Sequence, residues 1–364
     1  MTIFRRVVFA ALLLAWTAPA RAQAARRPLN PRYHKKAGAA AKAPERPPFL
    51  GGGWTPQASE AVRRFVEVHG SSAALYDANT PPAAAIAWDG SAFFGDPAEA
   101  VFHKLVVEVE FKFSEDFWRE VPLGYGRQKI RAAYEQFASL PKTLWPMQPA
   151  YHQFRKYFFA SYQDTCRKVG RKECRGYLAK LLIGYTEEEA REYAKAALAE
   201  ESAQKPGLER EGTSDVDPRP VFWPRGLAPV PEIKELVAVL RAAGVDVWAV
   251  APEPQAVLME SVSYSGVDPS RCLGIKQGSD RSRYDGILRE PIPIRGGMVD
   301  AVVGALGRAP AFVVAAREED LPLLEYSPGL RLVLDDGEPE LRKRAKQDSA
   351  LLQPLFTILL TKRR

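Results

Sequence analysis

Apolar strands alternate with amphipathic helices in the C-terminal half of the chain, and this pattern most constrains the fold. In "PEIKELVAVLRAAGVDVWAV", apolar residues recur at helical spacing from Ile233 to Leu240, and Gly244 stops the helix before an apolar strand over 245–250. The pattern continues as strand, helix, strand, helix and strand in "RCLGIKQ", "MVDAVVGALG", "AFVVAA", "EEDLPLLEYS" and "LRLVLDD", followed by a C-terminal helical stretch. Such uniformly apolar strands predict a doubly wound, mostly parallel α/β sheet covered on both faces.

An earlier apolar run, "PPAAAIAWDGS", extends the same pattern. It is bounded by prolines and Gly90 and predicts a buried strand that leads into a loop. Ligands bind at the carboxyl ends of the strands in such sheets. We therefore expect the functional positions just after Ile86, Val250 and Val314, and at the helix start near Met298.

The N-terminus has the features of an export signal. Arg5 and Arg6 precede an apolar run over 7–16, and the small residues of "APARAQA" follow. We predict a signal peptide over 1–24 and a basic, Pro/Ala-rich linker over 25–50, and hence a secreted or periplasmic protein. The apolar run is too short to span a bilayer, and no other stretch reaches that length, so no transmembrane segment is expected.

The positive charge of the chain is concentrated in this N-terminal region. The net charge is +7, but residues 1–47 hold ten Lys/Arg and one acid, so the remainder carries −2. A near-neutral body without a basic stripe argues against nucleic-acid binding.

The segment between the first and second predicted strands differs in character. It is aromatic and highly charged, with helical periodicity in "RGYLAKLLIGY" and "EEEAREYAKAALAEES". We predict a helical insertion over 105–217 above the strand ends, and an α/β core made of 51–104 and 218–364.

The loop sequence "IAWDGSAFFGDPAEA" resembles the first motif of the haloacid dehalogenase superfamily, D-x-D-[GN]-T, and most closely its secreted branch similar to phosphoserine and phosphorylcholine phosphatases. The resemblance implies a helical cap and Mg²⁺-dependent phosphoryl transfer through an aspartate nucleophile. It also implies a hydroxyl after the second strand, a lysine at a helix start and two acids at the fourth strand.

Most of these functional groups are absent from the corresponding positions. Ala87 occupies the nucleophile position, Ala251 that of the hydroxyl, Met298 that of the lysine and Ala316 that of an acid. The positions that keep the family's chemical character are Asp89, Ser91 and Asp320.

These replacements remove four separate functions. The Ala87 methyl group cannot attack phosphorus, so no aspartyl phosphate can form there. Asp89 and Asp320 remain as a poor pair of Mg²⁺ ligands, to which Glu318 or Glu319 adds at most a partial substitute. We therefore predict a pseudophosphatase with no cofactor, which binds an unknown small ligand or a protein partner.

Two alternatives stay open at the level of sequence. The first is an active Mg²⁺-dependent phosphomonoesterase that uses non-standard residues, and the second is a structural protein of the cell envelope. Asp89 is a poor replacement nucleophile, because the second acid that it would need is then Ser91. Asp96 is expected to form hydrogen bonds within its loop.

Cysteines and histidines give further expectations. Cys166 and Cys174 are expected to form a disulfide, since export favours oxidation and Gly170 permits the turn between them. Cys272 is expected to be buried and unpaired. The four histidines, at positions 34, 69, 103 and 152, show no metal-like pairing and are expected on surfaces or helix faces.

Overall fold

The secondary structure of this computed structural model is described for residues 50–51, 53–211, 219–335, 337–347 and 350–354. The strands there are β1 (Ala83–Ala87), β2 (Phe93–Phe94), β3 (Gly207–Glu211), β4 (Val221–Arg225), β5 (Ala228–Pro229), β6 (Asp246–Pro254), β7 (Cys272–Asp280), β8 (Arg283–Arg289), β9 (Phe312–Ala315), β10 (Leu330–Asp335) and β11 (Leu351–Pro354). The α-helices are α1 (Pro56–His69), α2 (Pro97–Glu108), α3 (Glu115–Glu120), α4 (Arg127–Phe137), α5 (Pro149–Val169), α6 (Arg171–Lys180), α7 (Glu187–Ser202), α8 (Pro231–Ala242), α9 (Gln255–Ser261), α10 (Gly296–Leu306), α11 (Leu321–Tyr326) and α12 (Pro339–Gln347). The predicted signal peptide and all but the last residue of the predicted linker lie outside these ranges.

The main sheet has the strand order β11-β10-β9-β1-β6-β7-β8. Neighbouring strands are parallel except for the antiparallel pair β7 and β8. This arrangement confirms the predicted α/β fold class. The chain runs from β1 to β6 and β7 on one side and returns to β9 on the other, so the carboxyl ends of β1 and β9 flank the point where the winding reverses.

Local sequence signals define several of the predicted elements. Every residue of β1 is buried, as its uniformly apolar sequence predicts. Helix α2 begins after Asp96, whose Oδ1 accepts a hydrogen bond from the backbone N–H of Glu99 at 2.9 Å. Helix α8 has Pro231 in its first turn, and Gly244 follows it with a φ of 75°, as expected for a left-handed stop.

Two edge strands of the main sheet were not predicted. The turn between β7 and β8 contains Arg281 and Ser282, both with positive φ, a conformation that neither residue type signals. The C-terminal stretch was predicted to be helical only, but after α12 the chain adds the four-residue strand β11 beside β10. The four residues of β11 are at the lower limit for a periodic strand signal.

Helices α3 to α7, together with the hairpin of β3 and β4, form the insertion that we call the cap. Its interior is aromatic, with fully buried phenylalanines at positions 117, 137, 154, 158 and 159. The predicted limits of 105–217 stay a prediction. Within the described residues, no helix is both long and apolar enough to cross a membrane.

Candidate functional site

The four replaced motif positions all lie at the carboxyl ends of the central strands or beside them. Ala87 is the last residue of β1, Ala251 lies within β6, Met298 lies in the first turn of α10 and Ala316 follows β9. Each is at most 1% exposed. Ala87 and Met298 belong to one apolar cluster that also contains Val250. The positions where the family resemblance implies a nucleophile and a lysine are therefore packed together as hydrophobic core.

Two of the retained polar residues serve the backbone around them. The Ser91 hydroxyl is fully buried and donates its one hydrogen bond to the carbonyl oxygen of Ala87, with the carbonyl oxygen of Trp88 as the alternative acceptor at 3.1 Å. Asp320 Oδ2 accepts hydrogen bonds from the backbone N–H groups of Ala316 and Arg317, each at 2.9 Å. Burial raises the pKa of Asp320 to about 6. Both side chains thus hold the loops that follow β1 and β9.

The third retained residue, Asp89, is surrounded by guanidinium groups. Its carboxylate forms an ion pair with Arg171 of the cap, and its Oδ2 lies 3.5 Å from Arg175 Nη2, also of the cap. Its Oδ1 lies 3.3 Å from Nε of Arg317, which follows β9. Arg171 Nη1 reaches further, to Glu319 Oε2 at 3.1 Å. Two arginines of the cap, Arg171 and Arg175, therefore contact the carboxylate of Asp89, which lies in the loop after β1.

The space around Asp89 is nearly filled. The void bounded by Asp89, Arg171, Met298, Arg317 and Asp320, with their neighbours, measures about 10 Å³. That is about the volume that one water molecule requires. Burial, with repulsion by Arg175 and Arg317, lowers the pKa of Arg171 to about 9.

This arrangement does not fit Mg²⁺, the cofactor of the active alternative. Mg²⁺ needs octahedral oxygen ligands and usually keeps several waters. Asp89 is instead committed to three guanidinium groups, Asp320 Oδ2 accepts two backbone N–H groups, and Ala87 and Ala316 offer no side-chain oxygen.

A second layer of buried acids lies beneath the cap arginines. Arg175 forms a bidentate ion pair with Asp96, with Nη1 at 3.0 Å from Oδ1. Burial acts to raise the pKa of Asp96, but the charge and hydrogen bonds of Arg175 outweigh it and hold the pKa below its usual value. Asp96 therefore joins the cap to the core, beyond the loop role predicted for it.

Glu99 and Glu253 complete this layer. Tyr162 donates a hydrogen bond to Glu99 Oε1 at 2.9 Å, and burial together with the charge of Asp96 raises the pKa of Glu99 to about 7. Glu253 is fully buried, and neither of its carboxylate oxygens has a hydrogen-bond partner among the described residues. Burial and Asp96 raise its pKa to about 8. Glu253 is therefore expected to be mainly neutral at pH 7.

A much larger cavity of about 1330 Å³ opens beside this cluster. Its walls combine aromatic side chains such as Phe93, Phe94 and Tyr162 with the cap arginines, Arg317 and both cysteines of the cap. Among the described residues that line it, none is one of the four replaced motif positions. This cavity thus lies next to the positions of the four replaced motif residues and not at them.

The cap is attached to the core at a second place. The backbone N–H of Gly184 donates to the carbonyl oxygen of Tyr284 at 2.9 Å, and the N–H of Tyr284 donates to the carbonyl oxygen of Tyr185 at 2.8 Å. Tyr284 belongs to β8, so the unpredicted edge strand forms part of the junction between sheet and cap.

A disulfide joins Cys166 and Cys174, whose Cα atoms lie 4.8 Å apart. Cys166 lies in the last turn of α5 and Cys174 in the first turn of α6, and Gly170 separates the two helices with a φ of 109°. Cys272 is free and buried, and burial raises its pKa to about 12.

One of the four histidines, His103, lies close to two glutamates. It lies on α2 but is only 5% exposed, and its Nε2 lies 3.1 Å from Glu209 Oε2. Ligand-type atoms of His103, Glu209 and Glu211 lie within 4.8 Å of one another. Arg155 pairs with both glutamates and Arg225 pairs with Glu209, so cations of the chain itself already compensate these acids.

Sequence reasoning missed Arg171, Arg175, Arg317 and Glu253. Arg171 and Arg175 are one helical turn apart directly after the predicted turn at Gly170, which places them on one face of a helix. That spacing was the available signal, but nothing local in the sequence identifies Asp89 and Asp96 as their partners.

The architecture confirms the expected fold class, a doubly wound, mostly parallel α/β core that carries an inserted helical cap. A crystal structure of a conserved protein of unknown function from Anaerococcus prevotii DSM 20548 shares this fold. The TM-score is 0.70 at 19% identity, over 82% of this chain and 92% of that one.

Phosphatase-like structures are also found among the solved structures. A HAD family hydrolase from Salmonella enterica serovar Typhi has a TM-score of 0.36 at 11% identity, over 72% of this chain and 66% of that chain. An apo phosphoserine phosphatase has a TM-score of 0.34 at 11% identity, over 76% and 97%. No family model matches the chain, and no curated protein matches it. The likeness to the Anaerococcus prevotii protein concerns the fold alone.

Proposed function

We propose that this chain is a pseudophosphatase: a haloacid-dehalogenase-like protein that binds a ligand without turning it over. The observation that carries the proposal is the occupation of Asp89 by Arg171, Arg175 and Arg317 beside Ala87 and Met298. The loop carboxylate is engaged by cations of the chain, and the position of the nucleophile is apolar.

The surroundings of Ala87 support this proposal. Phosphoryl transfer requires an attacking group, compensation of the developing negative charge and room for the phosphoryl group. Ala87 supplies no nucleophile, Met298 supplies no charge, and the adjoining void holds about 10 Å³. Restoring any single group leaves the other two requirements unmet.

A phosphate-release assay tests the absence of turnover. Purified protein with Mg²⁺ is incubated with an aryl phosphate, phosphoserine or phosphorylcholine, beside an active phosphatase as positive control. We expect no release above the protein-free control, from the wild type or from Ala87→Asp. Wild-type turnover abolished by Asp89→Asn would overturn the proposal, and so would turnover that survives this substitution.

The binding role is assigned to the cavity of about 1330 Å³, and its charges favour an anionic ligand. Among its described lining residues are five cations, Arg171, Arg175, Lys205, Arg225 and Arg317, and three acids, Asp96, Glu99 and Glu201. The acids are engaged by Arg175, Tyr162 and Arg225 respectively. Four of the cations, Arg171, Arg175, Arg225 and Arg317, are also paired with acids, so the preference for an anion rests on the excess of cations over acids in the lining. Phe93 and Phe94 add an apolar wall, which suits an organic anion with an apolar part.

Thermal unfolding with probe compounds tests this role. Phosphoserine and an aryl phosphate are the anionic probes, and choline is the matched cationic control. We expect the anions to raise the unfolding midpoint and choline to leave it unchanged. Arg317→Gln should reduce the shift. A shift that is equal for all three compounds, or none for either anion, would contradict the assignment.

We also propose that the protein is exported. The support is the N-terminal pattern of Arg5, Arg6 and a short apolar run, together with a cystine, which is typical of oxidising compartments. N-terminal sequencing of the protein from its natural compartment tests this. We expect a start between 20 and 26, whereas an intact Met1 in a cytoplasmic fraction would contradict export.

A further inference from the structure

The ion pairs between the α5–α6 corner and the core all start within a few residues of the disulfide. Arg171 pairs with Asp89 and Glu319, and Lys172 Nζ lies 3.3 Å from Glu290 Oε1. Arg175, the residue after Cys174, pairs with Asp96 and Asp89. One short segment of the described chain, 171–175, therefore carries these links.

The disulfide closes the corner from which this segment starts. Gly170 ends α5 in a conformation that side chains rarely adopt, so α6 starts in a new direction. The bond between Cys166 and Cys174 closes this corner and fixes the first turn of α6 against the last turn of α5. Helix α5 itself is held by other contacts, because Phe154, Phe158 and Phe159 are fully buried in the cap.

The bond is accessible from the large cavity. Both cysteines line that cavity, and Cys166 is half-buried whereas Cys174 is 2% exposed. A small thiol in the cavity therefore reaches the sulfur of Cys166 more readily than that of Cys174.

We propose that the Cys166–Cys174 disulfide is a redox-controlled latch that holds the cap arginines on Asp89. A small thiol, as thiolate, attacks Cys166 Sγ, the S–S bond breaks, and Cys174 leaves as a thiolate that takes up a proton. A second thiol then displaces the protein from the mixed disulfide. Two thiols are oxidised to their disulfide, and the two cysteines gain the two electrons and two protons.

Release of the bond frees the first turn of α6 and lets Arg171 leave Asp89. The opening stays local, because the backbone hydrogen bonds of Gly184 and Tyr185 to Tyr284 still hold the far end of the cap on β8. Departure of Arg171 enlarges the void beside Asp89 and joins it to the cavity. This opening on reduction of the disulfide does not depend on whether the protein turns over a substrate.

Hydrogen exchange followed by mass spectrometry tests the latch. Peptides that cover 167–176 are compared in oxidised protein and in protein reduced with glutathione under native conditions, and α8 serves as the internal reference. We expect exchange in 167–176 to rise about tenfold or more on reduction, with α8 unchanged. Equal exchange in both states would overturn the proposal, as would a failure of glutathione to reduce the folded protein.

Variants separate a latch from a simple structural bond. The double variant Cys166→Ser/Cys174→Ser should exchange like reduced protein without any thiol, and Cys272→Ser should respond to reduction like the wild type. Arg171→Gln should speed exchange in 171–175 with the disulfide intact. Arg167→Gln is the matched control, since Arg167 pairs with Asp164 of its own helix. Exchange that rises in α8 together with 167–176 would mean global unfolding and would overturn the proposal.

Discussion

Arg171 of the cap pairs with Asp89, the carboxylate that follows the central strand of the sheet, and this contact joins the two parts of the molecule. Asp89 is 8% exposed, and the Arg171 side chain is 21% exposed. Removal of one partner from a buried ion pair typically costs about 3–5 kcal/mol, because the other charge stays buried without compensation. The stability of the closed cap should therefore depend on Asp89 far more than on any surface acid.

Neutralisation of Asp89 gives the first prediction. Asp89→Asn removes the charge that Arg171, Arg175 and Arg317 share, and it should lower the free energy of unfolding by about 2–4 kcal/mol. Urea denaturation at pH 7 measures the change. Asp164→Asn is the matched control, since it removes two pairs near the surface, with Arg167 and Lys168, and exposed pairs are each worth less than about 1 kcal/mol. Equal effects of the two substitutions would show that the ion pairs of Asp89 contribute no more to the free energy of unfolding than those of a surface acid.

The second prediction concerns the pH dependence of stability through Glu253. Its pKa is raised from 4.5 to about 8, so between these pH values the folded protein binds a proton that the unfolded chain has lost. The contribution of Glu253 to stability is therefore complete below pH 4.5 and is lost as the pH rises toward 8. Glu253→Gln, which stays neutral, removes this loss.

Urea denaturation of wild type and Glu253→Gln at pH 5, 7 and 9 measures this effect. The variant should gain stability relative to the wild type as the pH rises, by roughly a few kcal/mol at pH 9, since one pKa unit corresponds to about 1.4 kcal/mol. Glu325→Gln is the control, because Glu325 is an exposed acid on α11 paired with Arg344. A pH-independent difference between Glu253→Gln and wild type would contradict the prediction.

Restoration of the missing carboxylate is predicted to destabilise the protein. Ala87→Asp places an acid in the apolar cluster with Met298 and Val250, where burial disfavours its charge. The free energy of unfolding should fall by roughly 2–4 kcal/mol at pH 7, and by less at pH 5, where the carboxyl group is more readily neutral. Ala196→Asp on the exposed face of α7 should cost less than about 1 kcal/mol. No loss of stability at Ala87 would mean that the pocket accepts a carboxylate.

The fourth prediction concerns Mg²⁺. Because three guanidinium groups already compensate Asp89, millimolar Mg²⁺ should leave the unfolding midpoint of the wild type unchanged and should produce no binding heat in a calorimetric titration. The quadruple variant Ala87→Asp/Ala251→Ser/Met298→Lys/Ala316→Asp tests whether Mg²⁺ binds once two further carboxylates are present. If the wild type binds Mg²⁺ and Asp89→Asn abolishes this binding, Mg²⁺ displaces the arginines from Asp89, which would contradict the prediction.

The α/β fold could be predicted because its signals are local. The apolar run that forms β1, the helical spacing from Ile233 to Leu240 and the stop at Gly244 each depend on neighbouring residues alone. The spacing of the motifs also identified four functional positions, because each follows or adjoins a predicted strand or helix start. They are Ala87, Ala251, Met298 and Ala316.

The partners of the charged side chains could not be predicted from local sequence signals. Arg171 and Asp89 belong to different layers of the molecule, and their pairing depends on how the cap lies on the sheet. The same is true of His103 and Glu209, which are 106 residues apart, and of the edge strand β8, which is stabilised by β7 and by backbone bonds to the cap. Sequence alone determined which chemical groups the central strands lack. The tertiary structure decided that arginines of the cap pair with the retained carboxylate Asp89, because a buried carboxylate needs a compensating charge and the folded chain brings the cap arginines to it.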